Sequence, residues 1–291
     1  MRSVGEEAAI KREEEATRET VRKMTLLRRR HIVSPGWLAR RLENNPGAMR
    51  IIDLRGRVHT VEVEQGVQQA TYSGCRDDYA AGHIPGALYL DWTTDIVDPQ
   101  ASAPVQVASD QRFKEVMEAC GISDDTMVVA YDSHPASQFA ARLWWALRYY
   151  GHDRARVLAG GFPAWLRAGY PTTSEVLQVT RGSFTPVRRP EWRLEAAEVQ
   201  RAIGAPGVRI VDARDADQFS GRVRRGSRGG RIPGAISLPR ELLYNEAGDL
   251  LPAGKLAETA ARLGLAADQR IVAYCNGGVA ATSVLFALST L

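Results

Sequence analysis

Three short blocks of sequence occur twice along the chain, in the same order. They are a pair of apolar residues followed by Asp-x-Arg, the turn Gly-x-Ile-Pro-Gly-Ala, and a short apolar run that ends in tyrosine. The copies begin at Ile51 and Ile210, Gly82 and Gly230, and Val128 and Ile271. The distance between copies falls from 159 to 148 to 143 residues. Three matched blocks in one order indicate a tandem duplication.

Each copy alternates short apolar strands with amphipathic helices. In the first copy, for example, a helical pattern over 111–119 precedes a strand pattern over 126–131. This alternation is typical of parallel sheets covered by helices. We therefore predict an α/β protein of two tandem domains, each a parallel sheet flanked by helices.

Composition shifts divide the chain further. The first thirty residues are strongly charged and carry no apolar stripe, and a stretch of mixed polar residues with two prolines separates the copies. We predict a charged N-terminal extension over 1–30, a first domain over 31–172, a linker over 173–190 and a second domain over 191–291.

The second copy is shorter than the first. In the first copy the third block is followed by a further strand over 156–158 and a helix over 163–168, whereas Leu291 aligns with Arg148. We therefore expect the second domain to be truncated at its C-terminus, with an uncovered sheet edge.

Cys275 stands where a strand meets a helix. Ile271 begins a short apolar strand, Asn276-Gly277-Gly278 forms a turn, and a helix follows from Ala280. Backbone N–H groups and the positive end of a helix converge on a side chain at such a junction. Thiols so placed can have their pKa lowered from about 8.5 to about 3.5–7.5. We predict that Cys275 is a thiolate nucleophile; the alternative is an inert buried thiol.

Composition excludes several classes of protein. No apolar run is long enough to span a membrane, and a net charge of +4 suits small anionic substrates but is too weak to indicate nucleic-acid binding. The three cysteines form no CxxC pair and the five histidines show no metal-ligand spacing. We expect a cytoplasmic monomer that requires neither a metal ion nor another cofactor.

The blocks together resemble the rhodanese family, and specifically its two-domain thiosulfate and 3-mercaptopyruvate sulfurtransferases, over about residues 31–291. In that family the first domain is catalytically silent. Here Asp132 stands at the position that Cys275 occupies in the second copy. The resemblance implies that Cys275 takes a sulfane sulfur from thiosulfate or 3-mercaptopyruvate as a persulfide. Cyanide or another thiol would then accept this sulfur.

The resemblance also implies the residues that bind the anionic donor. The backbone amides after the cysteine would stabilise negative charge on sulfur, and they belong to Asn276, Gly277, Gly278, Val279 and Ala280. Arg214, in the Asp-x-Arg block, would be the first arginine to hold the donor. The second would come from a basic run that contains Arg222, Arg224, Arg225, Arg228 and Arg231. The alternative for this run is a solvated loop.

Several residues depart from the family pattern. Gly277 takes the place of a serine and Ala280 that of a threonine typical of the mercaptopyruvate enzymes, and their first-domain histidine is missing near 101–103. The sequence therefore does not decide between thiosulfate and 3-mercaptopyruvate as the sulfur donor. A Cys-loop phosphatase is disfavoured because no arginine follows Cys275 to clamp a phosphate. A non-catalytic persulfide carrier or an inactive binding module remains the alternative function.

Overall fold

The computed structural model describes residues 28, 30–45, 47 and 49–291, so most of the predicted N-terminal extension lies outside the described residues. The strands are β1 (Ile32–Val33), β2 (Met49–Asp53), β3 (Gly56–Glu64), β4 (Val67–Gly74), β5 (Ala87–Tyr89), β6 (Met127–Tyr131), β7 (Ala155–Leu158), β8 (Val208–Asp212), β9 (Ile236–Ser237) and β10 (Arg270–Tyr274).

Helices connect and cover these strands. They are α1 (Pro35–Asn44), α2 (Arg76–Ala81), α3 (Asp110–Ala119), α4 (Gln138–Tyr149), α5 (Gly161–Arg167), α6 (Ala196–Ala202), α7 (Ala216–Ser220), α8 (Ala253–Arg262) and α9 (Val279–Leu288). Short 3₁₀ turns span Pro190–Trp192 and Arg240–Leu243.

Two parallel sheets confirm the predicted pair of α/β domains. The first sheet has the strand order β1-β7-β6-β2-β5 and the second has the order β10-β8-β9. Every pairing within them is parallel. In the part of the chain that the structure describes, β10 is an edge strand, whereas its first-domain counterpart β6 pairs with both β2 and β7. This difference agrees with the expected uncovered edge of the second sheet.

The Asp-x-Arg block forms the same ion pair in both domains. In the first domain the Asp53 carboxylate accepts hydrogen bonds from the Arg55 guanidinium and from the Tyr131 hydroxyl, and Arg55 also donates to the Gly82 carbonyl. The second domain repeats these contacts with Asp212, Arg214, Tyr274 and Gly230. Because both copies carry this network, it serves to anchor the end of the central strand to the following turn.

An antiparallel hairpin, β3–β4, was not predicted from the sequence. It follows the Asp-x-Arg block of the first domain and crosses to the second, where the Gly66 carbonyl accepts from the Arg224 amide and Gln68 donates to the Arg224 carbonyl. The first domain thereby contributes a wall to the cleft between the domains.

The predicted linker packs along the first domain as an extended segment. Residues 174–189 contain neither a helix nor a strand. Phe184 is only 1% exposed and packs against Phe113 of α3, and the amides of Val187 and Arg189 donate to carbonyls at the end of α4. The segment is therefore held to the first domain before the second begins.

The two domains meet through α4 and α9, the helices that follow the Asp132 and Cys275 loops. Trp144 and Phe286 pack edge-to-face with their ring centroids 5.2 Å apart. The Ser283 hydroxyl of α9 donates to the Ala136 carbonyl across the interface at 2.6 Å. One apolar core runs through both domains as a result. This packing brings the Cys275 loop against the first domain.

Candidate active site

The Cys275 thiol lies in a tight turn between β10 and α9. Its Sγ accepts a hydrogen bond from the backbone N–H of Gly278 at 3.1 Å. Gly278 caps the helix with a φ of 79°, a left-handed conformation that favours glycine. Cys275 is half-buried and lines the cavity between the domains, so its thiol receives support from the helix N-terminus while remaining accessible from the cleft.

The other loop residues are held in different ways. The Asn276 side chain donates to Gln218 Oε1 at 2.8 Å, and Gln218 is itself fixed by Asp215 at the start of α7. Gly277, Val279 and Ala280 line the same cavity as Cys275. Of the amides predicted to support the sulfur, that of Gly278 donates to Sγ among the described contacts.

A cavity of about 200 Å³ opens in front of the thiol, between the two domains. The first domain contributes Val58, Thr60, Tyr72, His134 and Gln138, and the second contributes the cysteine loop together with Arg214, Asp215, Gln218, Arg225, Arg240 and Glu241. A small donor in this cavity would therefore contact both halves of the duplicated chain.

The predicted arginines differ in their access to the cavity. Arg214 lines it, but its Nε and Nη2 are bound to Asp212 and to the Gly230 carbonyl. Arg225 also lines it, and hydrogen bonds to Thr60 and Gln68 hold its guanidinium against the hairpin.

The remaining members of the basic run lie outside the cavity lining. Arg222 pairs with Asp217, Arg224 donates to the Gly226 carbonyl, and Arg231 lies over the Phe219 ring. Arg225 is therefore the member of this run, among the lining residues, that can meet an anionic donor.

His134 and Arg240 lie at the cavity and were missed in the sequence. The His134 Nδ1 accepts from the Ala136 amide, so the neutral ring carries its proton on Nε2. Burial, with a contribution from Arg240, lowers the pKa of His134 to about 3, and the ring stays neutral near pH 7. His134 follows the Asp132 position of the first copy, so the repeat itself was the one sequence signal that could have found it.

Asp132 is the first-domain counterpart of Cys275, and it is fully buried. Its carboxylate accepts backbone N–H bonds from His134, Phe139 and Ala140. Burial raises the pKa of Asp132 to about 7, although these three N–H groups oppose the shift. In the first domain, the backbone N–H groups of the turn thus bind the Asp132 carboxylate. In the second domain, the N–H of Gly278 in the equivalent turn binds the Cys275 sulfur.

Neither a metal site nor a membrane span is found within the part of the chain that the structure describes. Across residues 30–45 and 49–291, no group of three or more His, Cys, Asp or Glu side chains is arranged to hold a metal ion. None of the described helices is long and apolar enough to cross a bilayer.

Comparison with known proteins places this geometry in a family. A family model described as the rhodanese-like domain matches residues 34–168 and 195–291. The chain is 33% identical over 223 residues to a putative thiosulfate sulfurtransferase of Mycolicibacterium smegmatis, covering 73% of this chain and 78% of the relative. It is 30% identical over 263 residues to the 3-mercaptopyruvate sulfurtransferase of Escherichia coli, covering 89% and 88%.

Solved structures agree with the sequence relatives. The crystal structure of the 3-mercaptopyruvate sulfotransferase SseA from Escherichia coli matches with a TM-score of 0.76 and 28% identity, covering 89% of this chain and 94% of SseA. An anaerobic ergothioneine biosynthesis enzyme from Chlorobium limicola shares the fold with a TM-score of 0.73 at 22% identity, covering 90% of this chain and 64% of its own. The chain therefore belongs to the rhodanese family and carries two rhodanese-like domains.

Proposed function

We propose that this protein is a sulfurtransferase in which Cys275 carries a sulfane sulfur as a persulfide. The observation that carries the proposal is a half-exposed thiol that accepts the Gly278 N–H at the end of a cavity lined by arginines. Such a cavity favours a small anionic donor and supports negative charge on sulfur. Relatives named for two sulfur donors support the same class of reaction.

The reaction proceeds in two steps through one covalent intermediate. The Cys275 thiolate attacks the outer sulfur of thiosulfate, the S–S bond breaks, and sulfite leaves with the electron pair. With 3-mercaptopyruvate the C–S bond breaks instead, and the pyruvate enolate takes up a proton. Cyanide or a thiolate then attacks the outer sulfur of the persulfide and restores the cysteine thiolate.

The attacking group and the leaving group are both anionic or become so in each step, so the residues around the cavity act mainly by electrostatics. The Gly278 N–H supports the inner sulfur. Arg225 and Arg240 face the cavity, where they would hold the sulfonate or carboxylate of a donor. The neutral His134 ring offers an N–H on Nε2 as an additional donor. Arg214 shapes the site chiefly through Asp212.

Replacement of the nucleophile provides the direct test. We expect Cys275→Ser to lower turnover of thiosulfate or 3-mercaptopyruvate with cyanide by at least about a thousandfold, because serine cannot form a persulfide. Mass spectrometry should detect one added sulfur atom on the Cys275 peptide of the parent protein. The half-buried Cys120 lies outside the cavity lining and serves as the control, and Cys120→Ala should keep both signals. Equal loss in the two variants would contradict the assignment.

A non-catalytic persulfide carrier is the second candidate, because holding a sulfur on Cys275 requires only the half-buried cysteine and the Gly278 N–H. The same experiment separates the two functions. A carrier would acquire the added sulfur on Cys275 but would not turn over with cyanide, whereas an enzyme would do both.

A further inference from the structure

Arg142 is a buried cation of the first domain that lies beneath the Cys275 loop. It is 5% exposed, its Nη2 donates to the Val105 carbonyl at 2.9 Å, and its guanidinium packs over the Trp145 ring at 4.7 Å. Among the described residues no carboxylate forms a salt bridge with it. Buried charges are usually paired, so an arginine in this position requires another source of compensation.

The Gly278 peptide separates Arg142 from the thiol. A Cβ atom placed on Gly278 would lie 3.0 Å from Arg142 Nη1, and the N–H of the same residue donates to Cys275 Sγ. The guanidinium therefore supports the residue that holds the sulfur. Glycine at 278 is required by this close approach as well as by the positive φ.

Among the titratable groups that act on Arg142, the Cys275 sulfur is the main one that can be an anion. Burial lowers the pKa of Arg142 to about 10, the Cys275 anion opposes this shift, Arg193 adds to it, and Tyr150 opposes it weakly. The other charged groups that face Cys275 line the open cavity, and they are Arg214, Asp215, Arg225, Arg240 and Glu241, with Tyr72 beside them. Water in that cavity screens the charges of these groups. The charge of Arg142 is screened less, because Arg142 is buried on the other side of the Gly278 peptide.

We propose that Arg142 is a positioning residue that the first domain supplies to the second. It holds the Gly278 turn in place and provides the positive charge that stabilises Cys275 as a thiolate and, later, as a persulfide anion. This proposal rests on the proposed function only in that both use the anionic form of Cys275. It also gives the first domain a role in the reaction.

The pH dependence of Cys275 alkylation tests this proposal without any sulfur donor. Iodoacetamide reacts with the thiolate, so the rate at the Cys275 peptide, followed by mass spectrometry, reports its ionisation. We expect Arg142→Gln and Arg142→Met to move the midpoint upward by about one pH unit, which lowers the rate about tenfold at pH values well below the parent midpoint. The plateau rate at high pH should stay within about twofold, and Arg142→Lys should have a midpoint between the parent and the neutral variants, because a buried ammonium that cannot stack on Trp145 replaces the guanidinium only in part.

Arg148 supplies the matched control, because it lies on the same helix, packs over Trp144 and pairs with Asp153 away from the thiol. Arg148→Gln should keep the parent midpoint even if it lowers stability. An unchanged midpoint in a folded neutral variant at 142, or an equal shift in Arg148→Gln, would refute the proposal.

A measurement on the parent protein covers the case in which the neutral variants do not fold. In ¹⁵N-labelled protein the Arg142 Nε resonance should titrate with the midpoint of Cys275 alkylation, and this titration should vanish in Cys275→Ser. An Arg142 Nε chemical shift that does not change as Cys275 ionises would overturn the proposal. If the parent protein showed no turnover but the alkylation of Cys275 and the Arg142 Nε resonance still titrated together, the result would contradict the proposed function. The role of Arg142 as a positioning residue would still stand.

Discussion

Two close contacts explain why glycine follows Cys275 by two positions. A Cβ atom on Gly277 would lie 2.7 Å from Val105 Cγ2 and 3.3 Å from the Pro104 carbonyl. Val105 itself has a φ of 50°, which is rare for a β-branched residue and costs about 1–3 kcal/mol. The first-domain loop thus fills the space that a serine side chain would need at this position.

Restoring that serine should therefore damage the site. We expect Gly277→Ser to lower kcat/KM about tenfold or more, because the new side chain displaces Val105 or shifts the cysteine turn. Steady-state kinetics with both donors measures the loss. In Gly277→Ser with Val105→Ala part of the activity should return, since one of the two close contacts is removed. A fully active Gly277→Ser protein would show that the contact does not constrain the turn.

At the scale of elements, the β3–β4 hairpin determines where the Arg225 guanidinium lies. Its Thr60 hydroxyl and the side-chain Oε1 of Gln68 accept from the Arg225 guanidinium, and the backbone of Gly66 pairs with Arg224. Arg225 therefore reaches the cavity because a first-domain element holds it there. Without the hairpin, the basic loop would be free to present any of its arginines.

Removing this guanidinium should weaken donor binding more than chemistry. We expect Arg225→Gln to raise KM for an anionic donor about tenfold with a smaller change in kcat, because the arginine binds donor and transition state alike. Arg57→Gln is the matched control, as Arg57 lies on the same hairpin in an exposed pair with Asp78. An equal rise in both variants would point to a general effect of hairpin charge.

Local sequence patterns predicted the strand and helix that flank Cys275. The contacts between distant residues depend on how the helices pack. β10 ends at the residue before Cys275 and a helix follows the glycine turn, as expected, because strand composition and turn residues act within a few positions. The hairpin was missed although residues 60–64 alternate polar and apolar side chains just before Gly66. Arg142 and His134 meet the Cys275 loop only because α4 packs on α9, which no short pattern encodes.

At the scale of the whole molecule, buried histidines link stability to pH. Arg148 Nη2 donates to His31 Nδ1 at 3.2 Å, so the ring is neutral. Burial, with smaller contributions from Arg148, Arg30 and Arg156, lowers the pKa of His31 to about 4. An unfolded histidine titrates near 6.5, so the unfolded chain binds more protons between about pH 6.5 and 4. Stability from this residue is present above pH 6.5 and falls through that window.

We therefore expect the free energy of unfolding to decrease between pH 7 and pH 4.5, as measured by urea denaturation. His31→Gln keeps a hydrogen-bond acceptor for Arg148 but cannot be protonated, so the decrease should be smaller in this variant. The His59 ring lies on the exposed part of the hairpin, and His59→Gln is the control that should keep the parent slope. Parallel slopes in His31→Gln and the parent would exclude His31 as the source.

The burial of Asp132 bears on how the two halves of a duplicated gene can change afterwards. The Phe162 amide donates to the Asp132 carbonyl, and a Cβ on Gly161 would lie 2.2 Å from that oxygen. The start of α5 therefore packs directly on the turn that contains Asp132. A cysteine at position 132 would be a buried thiol that a donor could not reach. A second reactive thiol in the first domain would therefore require the start of α5 to move as well, and no single substitution at this position would create one.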